Sequence, residues 1–127
     1  MNPIARALLP DNASVAPNGH LLIAGCDLVE LAAEFGTPLF VYDEDHIRKR
    51  CREAVAAFGP MVSYATKAFS CLAMARLVHE EGLYLDVSTG GEYHVARSAG
   101  VPAQQLVLHG NNKSVEELTT AMSEGIG

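Results

Sequence analysis

"VSYATKAFS", Val62 to Ser70, is a short run of β-forming residues that closes on a lysine just before a helical pattern begins. An ammonium group at the end of a buried strand costs free energy unless it reaches solvent, finds a partner or gives up its charge. Lys67 is therefore either a solvated surface group or a group held there for chemistry. If the strand continues to Lys67, side-chain alternation puts Met61, Ser63, Ala65 and Lys67 on one face. Small residues beneath a long one leave room for something to sit above them.

Working outward from Lys67, the chain alternates. Downstream, "SCLAMARLVHEEG" reads as a helix ending at Gly82, "LYLDVS" as a strand and "GEYHVARSAG" as a helix. "QLVLH" is then a strand and "SVEELTTAMSEG" a helix. Upstream, "EDHIRKRCREAVAAFG" places Ile47, Cys51, Val55 and Phe58 on one helical stripe, closed by Gly59-Pro60. Before it, "TPLFVYD" reads as a strand. "DLVELAAEFG" reads as a helix with Asp27 and Glu30 in capping-box spacing and Gly36 as its stop. "HLLIAG" is a short strand, and residues 1–20, punctuated by Pro3, Pro10 and Pro17, are an extended lead-in.

Strands centred on Tyr64, Leu85 and Val107, each followed by a helix, imply a parallel sheet with helices packed outside it. A flavodoxin-like sheet and a (β/α)8 barrel both fit that rhythm. A barrel takes roughly 250 residues, and the sequence stops at "SEGIG", where another strand is due. The expectation is a fragment: the first three βα units of such a barrel. Its open sheet would leave Val62, Leu85, Leu106 and Leu108 facing water, so these residues alone are expected neither to fold stably nor to catalyse.

Composition narrows the function classes. The 127 residues carry a formal net charge of -6, with 49% apolar and 19% charged residues, which is globular rather than disordered. The acidic balance and the absence of any basic cluster beyond "RKR" (Arg48–Arg50) argue against a nucleic-acid partner. Cys26, Cys51 and Cys71 fit neither a zinc spacing nor a complete disulfide set, so no metal site is expected and a reducing, cytoplasmic location is. No run of about 18 apolar residues predicts a membrane span.

Three polar side chains recur at one edge. Strand parity places Lys67, Asp86 (or Ser88) and His109 near the C-terminal ends of successive strands, where α/β folds bind ligands. Each also has a plain reading: a solvated lysine, an acid paired with a cation, a half-buried histidine satisfied by a neighbour. "STGGE" (Ser88–Glu92) and "SVEE" (Ser114–Glu117) are capping boxes that start helices. Gly90 and Gly91 could also let a backbone approach a ligand. Neither loop is a nucleotide-binding pattern. In "HGNNKS" (His109–Ser114), Gly110, Asn111 and Asn112 suit positive φ angles.

Taken in order, "YATKAF", "LDVSTGGE" and "LHGNNKS" resemble the pyridoxal-phosphate decarboxylases of the alanine-racemase-like barrel class, bacterial diaminopimelate decarboxylases above all. "FGTPLFVYDEDHIRKRC" resembles that family's entry into the barrel. The resemblance runs from about Gly36 to the end of the chain. It implies pyridoxal 5'-phosphate as cofactor and Lys67 as the amine joined to it as a Schiff base, with Asp86 and His109 as cofactor-pocket residues. A neutral amine is needed for that attack.

The resemblance further implies conversion of meso-2,6-diaminopimelate to L-lysine and CO2, an amino-acid substrate, and a homodimer at full length. Residues 43–127 would be the first part of the barrel. Residues 1–42 would belong with a second, β-rich domain. The family's phosphate loop and its substrate-binding residues have no counterpart here, so the fragment alone is expected to be inactive. A non-enzymatic pyridoxal-phosphate-binding module and an ornithine- or arginine-type decarboxylase are the alternatives.

Overall fold

The computed structural model describes residues 4–126. The chain divides between Lys49 and Arg50 into two compact units.

The first unit is built on a three-stranded antiparallel sheet, β1 (Ser14–Val15), β2 (Leu21–Ile23) and β3 (Cys26–Asp27), followed by helix α1 (Leu28–Phe35). Ile23 pairs with Cys26 across a two-residue turn in which Ala24 (φ 50) and Gly25 (φ 80) both adopt positive φ, the geometry that matches the twist of a tight hairpin. The extended lead-in expected over residues 1–20 is thus more structured than its prolines suggest. Within the described part it holds a 3-10 turn (Arg6–Leu8) and β1.

Asp27 closes the sheet and opens the helix. Its Oδ1 accepts the amides of Val29 (2.8 Å) and Glu30 (3.3 Å), while Oδ2 meets His20 Nδ1 at 2.7 Å. Partial burial pushes this carboxyl up, but the His20 bond and the two amides outweigh it and hold it below the usual carboxylate value. Gly36 stops α1 with φ 80, as expected.

"TPLFVYD" does not form a strand. Thr37–Asp43 makes no ladder, and Phe40 is 84% exposed. The segment has the composition of a strand, but no neighbouring strand presents it with ladder hydrogen bonds among the described residues. Helix α2 (Glu44–Phe58) follows, with Asp43 accepting the His46 amide at its start. Of the expected stripe, Cys51 is buried and Ile47 and Val55 are half-buried, but Phe58 is 81% exposed. It occupies the last turn, immediately before Gly59 bends the chain away. The "RKR" triplet is a solvated, ion-paired face: Arg48 meets Glu44, Lys49 meets Asp11 and Arg50 meets Glu53.

The second unit contains the parallel sheet in the order β4 (Ser63–Ala65), β5 (Tyr84–Val87), β6 (Leu106–Leu108). Helices α3 (Leu72–Glu80), α4 (Gly90–Ser98) and α5 (Val115–Glu124) alternate with the strands, and α3 and α4 pack on β5 and on each other. Register sets two faces. Tyr64, Leu85 and Leu106 share one; Ala65, Asp86 and Val107 share the other. Leu85, Val87 and Leu106 are fully buried, together with Val78 of α3 and Val101. Leu85 and Leu106 therefore do not face water, contrary to the expectation for an open sheet. They belong to the helix-covered face. The open face carries Ser63, Tyr84, Asp86 and Val107, which are half-buried or exposed. No helix among the described residues is long and apolar enough to cross a membrane.

Candidate functional site at the strand ends

β4 ends at Ala65, and Lys67 does not continue it. The chain instead enters a 3-10 turn, Thr66–Ala68. Two side chains close this turn: Thr66 Oγ1 donates to the Asp86 carbonyl (2.9 Å), and Tyr64 Oη donates to the Phe69 carbonyl (3.0 Å). The parity argument thus fails for Lys67, although the residue remains two positions beyond the Ala65–Asp86 register pair at the same sheet edge. Lys67 is exposed, and its amine has no hydrogen bond or ion pair among the described residues. The other two lysines are engaged: Lys49 with Asp11, and Lys113 Nζ with the Ser88 carbonyl at 2.9 Å.

Asp86 and His109 are brought together. His109 follows β6 and extends its pairing, its amide donating to the Val87 carbonyl (2.9 Å). Its Nδ1 lies 3.3 Å from Asp86 Oδ2. Asp86 projects from the middle of β5 on the open face, and its Oδ1 is buried without a hydrogen-bond partner. A carboxylate beside an imidazole can fix the ring's orientation and hold a proton between the two. The unpartnered oxygen leaves one acceptor over for a donor at this edge.

The loops divide differently from their sequence reading. The capping box at Ser114 is complete: its Oγ accepts the Glu117 amide (3.1 Å) and Glu117 Oε2 accepts the Ser114 amide (2.9 Å). At Thr89 only half of the box forms. Thr89 Oγ1 accepts the Glu92 amide, but the Glu92 carboxylate reaches back to the Ser88 amide instead of that of Thr89. Glu117 Oε1 also accepts the Gly90 amide (2.9 Å), so one carboxylate spans the N-termini of α4 and α5. Sequence reasoning missed this link because the partners are 27 residues apart. Gly90 and Gly91 lie in the first turn of α4, and neither has positive φ.

In "HGNNKS" only Gly110 (φ 123) has positive φ; Asn111 and Asn112 do not. A Cβ at Gly110 would also meet the tip of the Lys113 side chain and make it shift on its path to Ser88. An open groove of about 640 Å³ lies between α4 and α5 against Leu108, with Gly90, Tyr93 and Glu117 in its lining. It contains none of Lys67, Asp86 and His109.

Hydrogen bonds from the Ser114 and Gly90 amides hold the Glu117 carboxyl below its ordinary 4.5. A depressed folded-state pKa gives stability that is present above the unfolded value and lost as pH falls through the folded one. Glu117→Gln should therefore flatten the acid limb of the melting-temperature profile below about pH 4.5 and speed hydrogen exchange at the Gly90 amide. An unchanged acid limb would contradict the bridge.

Residues 44–127 match the family "Pyridoxal-dependent decarboxylase, pyridoxal binding domain". The chain is 53% identical over 126 residues to a diaminopimelate decarboxylase of Mycobacterium tuberculosis, covering 98% of this chain and 28% of that protein. The crystal structure of diaminopimelate decarboxylase from M. jannaschii in co-complex with L-lysine superposes with a TM-score of 0.80 at 34% identity, over 92% of this chain and 29% of that one. A lysine/ornithine decarboxylase from Vibrio vulnificus, complexed with putrescine, gives 0.69 at 31% identity, over 78% of this chain and 28% of that one. The chain thus spans under a third of the length of the relatives it matches.

Proposed function

The chain belongs to the pyridoxal-dependent decarboxylases, and from that premise we propose that it is the lysine-bearing part of a diaminopimelate decarboxylase, with Lys67 the amine that joins the cofactor. The carrying observation is the state of the three lysines. Lys67 alone presents an amine without a partner among the described residues, at the C-terminal edge of a parallel sheet. The neighbouring donor set fits a pyridoxal group: a primary amine for an aldehyde, a carboxylate with a free buried oxygen, and an imidazole.

When bound, pyridoxal phosphate supplies the aldehyde and a ring that takes up the electron pair left by departing CO2. The chain's own residues prepare that chemistry. Lys67 must shed a proton before its amine can attack. Asp86 holds the His109 ring by Nδ1 and leaves its other nitrogen directed away from the carboxylate. The 3-10 turn holds the Lys67 backbone at the sheet edge.

In this reading residues 43–127 are the opening βα units of a (β/α)8 barrel, and residues 1–42 belong with a β-rich domain. The working molecule is a homodimer acting on an amino acid. Meso-2,6-diaminopimelate loses one carboxylate as CO2 and gains a proton at the same carbon, giving L-lysine. Identity of 53% to a diaminopimelate decarboxylase over 98% of this chain supports this substrate.

The test is a graft in which residues 1–127 replace the matching segment of the Mycobacterium tuberculosis relative. With pyridoxal phosphate it should release CO2 from meso-diaminopimelate, and Lys67→Ala in the same graft should stop that release. A folded graft that releases no CO2, or one that keeps its activity when Lys67 is replaced by alanine, would overturn the proposal.

A further inference from the structure

Resting on the assignment of Lys67 above, we propose that Thr66 is a positioning residue whose buried hydroxyl sets the Lys67 amine relative to the Asp86–His109 pair. Thr66 is 2% exposed and is one of two buried polar residues among those described, the other being Asp43 in the first unit. At the end of a strand, valine would fill the same volume without a polar atom to desolvate. A hydroxyl is tolerated there because it is bonded, and its acceptor is specific: the main-chain carbonyl of Asp86, 2.9 Å away.

That bond falls where the ladder stops. Ala65 is the last residue of β4 in register with β5, and its partner is Asp86. One residue later the backbone leaves the sheet, and the Thr66 side chain takes over the attachment to the same residue of β5. On the far side of Lys67, the Tyr64–Phe69 bond ties the end of the turn back to β4. Lys67 is held between these two anchors. Asp86 in turn grips His109 through its carboxylate. Thr66 thus fixes the backbone of the residue whose side chain orients the imidazole, and it does so from the position next to the amine. Loss of the hydroxyl frees the turn to slide along β5 and moves the amine with it.

The measurement is reductive capture. The graft is incubated with pyridoxal 5'-phosphate and treated with borohydride, and the label at Lys67 is compared with that at Lys49 in the same digest. Lys49 lies in the other unit and serves as an internal reference. Thr66→Val should lower the Lys67:Lys49 ratio about two- to tenfold, the worth of one hydrogen bond. Thr66→Ser, which keeps the donor, should restore it. Circular dichroism well below each melting transition keeps the comparison among folded chains; if valine packs poorly, Thr66→Ala against Thr66→Ser makes the same contrast. A purely structural role would lower the melting temperature and leave the ratio unchanged. That result, or an equal loss in the serine variant, overturns the positioning role while leaving Lys67 assigned. Wild-type label at Lys113 or Lys49 with none at Lys67 overturns the assignment itself, and the positioning role with it.

Discussion

Replacing Lys67 by alanine or by arginine in the graft should reduce CO2 release from meso-diaminopimelate to the level of free pyridoxal phosphate. Alanine removes the amine outright. Arginine keeps length and charge, but its guanidinium stays protonated and cannot attack an aldehyde. The two variants together separate chemistry from electrostatics. If the positive charge were what mattered, arginine would retain a large part of the activity. The loss should fall on kcat if, as proposed, the amine acts on bonds being made and broken and not on uniform substrate binding. A variant with unchanged kcat and only a raised KM would place Lys67 outside the chemistry.

Leu85→Ala should destabilise the chain by about 2–5 kcal/mol, the usual range for truncating a buried leucine. Leu85 is 0% exposed in the central strand, between β4 and β6. Its side chain lies on the face covered by α3 and α4, where neighbours anchored on three elements cannot collapse to fill the cavity. Whole-domain stability is about 5–15 kcal/mol, so the variant should melt at markedly lower denaturant concentration. Phe58→Ala is the matched control. The residue is larger but 81% exposed, and its loss should cost within about 0.5 kcal/mol. Equal costs at the two positions would mean that the core is not the one formed by β5 and its covering helices.

The contrast between Leu85 and Phe58 shows how far the sequence could be read. Periodicity located α2, but the stripe it defined ran on through Phe58, where the helix was already ending. Burial at a helix terminus depends on what the next segment does, and Gly59 turns the chain away. The βα rhythm from Ser63 onward was legible because strand and helix periods differ and glycines punctuate the ends of α3 and α4. The same logic overreached at "TPLFVYD", where β-forming residues lack a strand to pair with.

At the site, parity joined Asp86 to the edge that His109 also occupies, and the two lie 3.3 Å apart. It failed for Lys67 because a hydroxyl on Thr66 captures the Asp86 carbonyl and ends the strand two residues early. Nothing local marks that bond, since its partners are 20 residues apart. The Glu117 link to Gly90 was hidden for the same reason. A capping glutamate satisfies its own helix in any sequence reading, and its second oxygen has a free choice of partner. Pairings made by side chains across elements are what patterns of period two and 3.6 do not encode.

The most direct test of the central claim is the site of reductive capture in the wild-type chain. Its three lysines, Lys49, Lys67 and Lys113, differ in what holds them: an aspartate, nothing among the described residues, and a main-chain carbonyl. After incubation with pyridoxal 5'-phosphate, borohydride reduction and peptide mapping, the label should fall predominantly on Lys67. Label on Lys113 or Lys49 with Lys67 unmodified would contradict the assignment on which the proposed function rests.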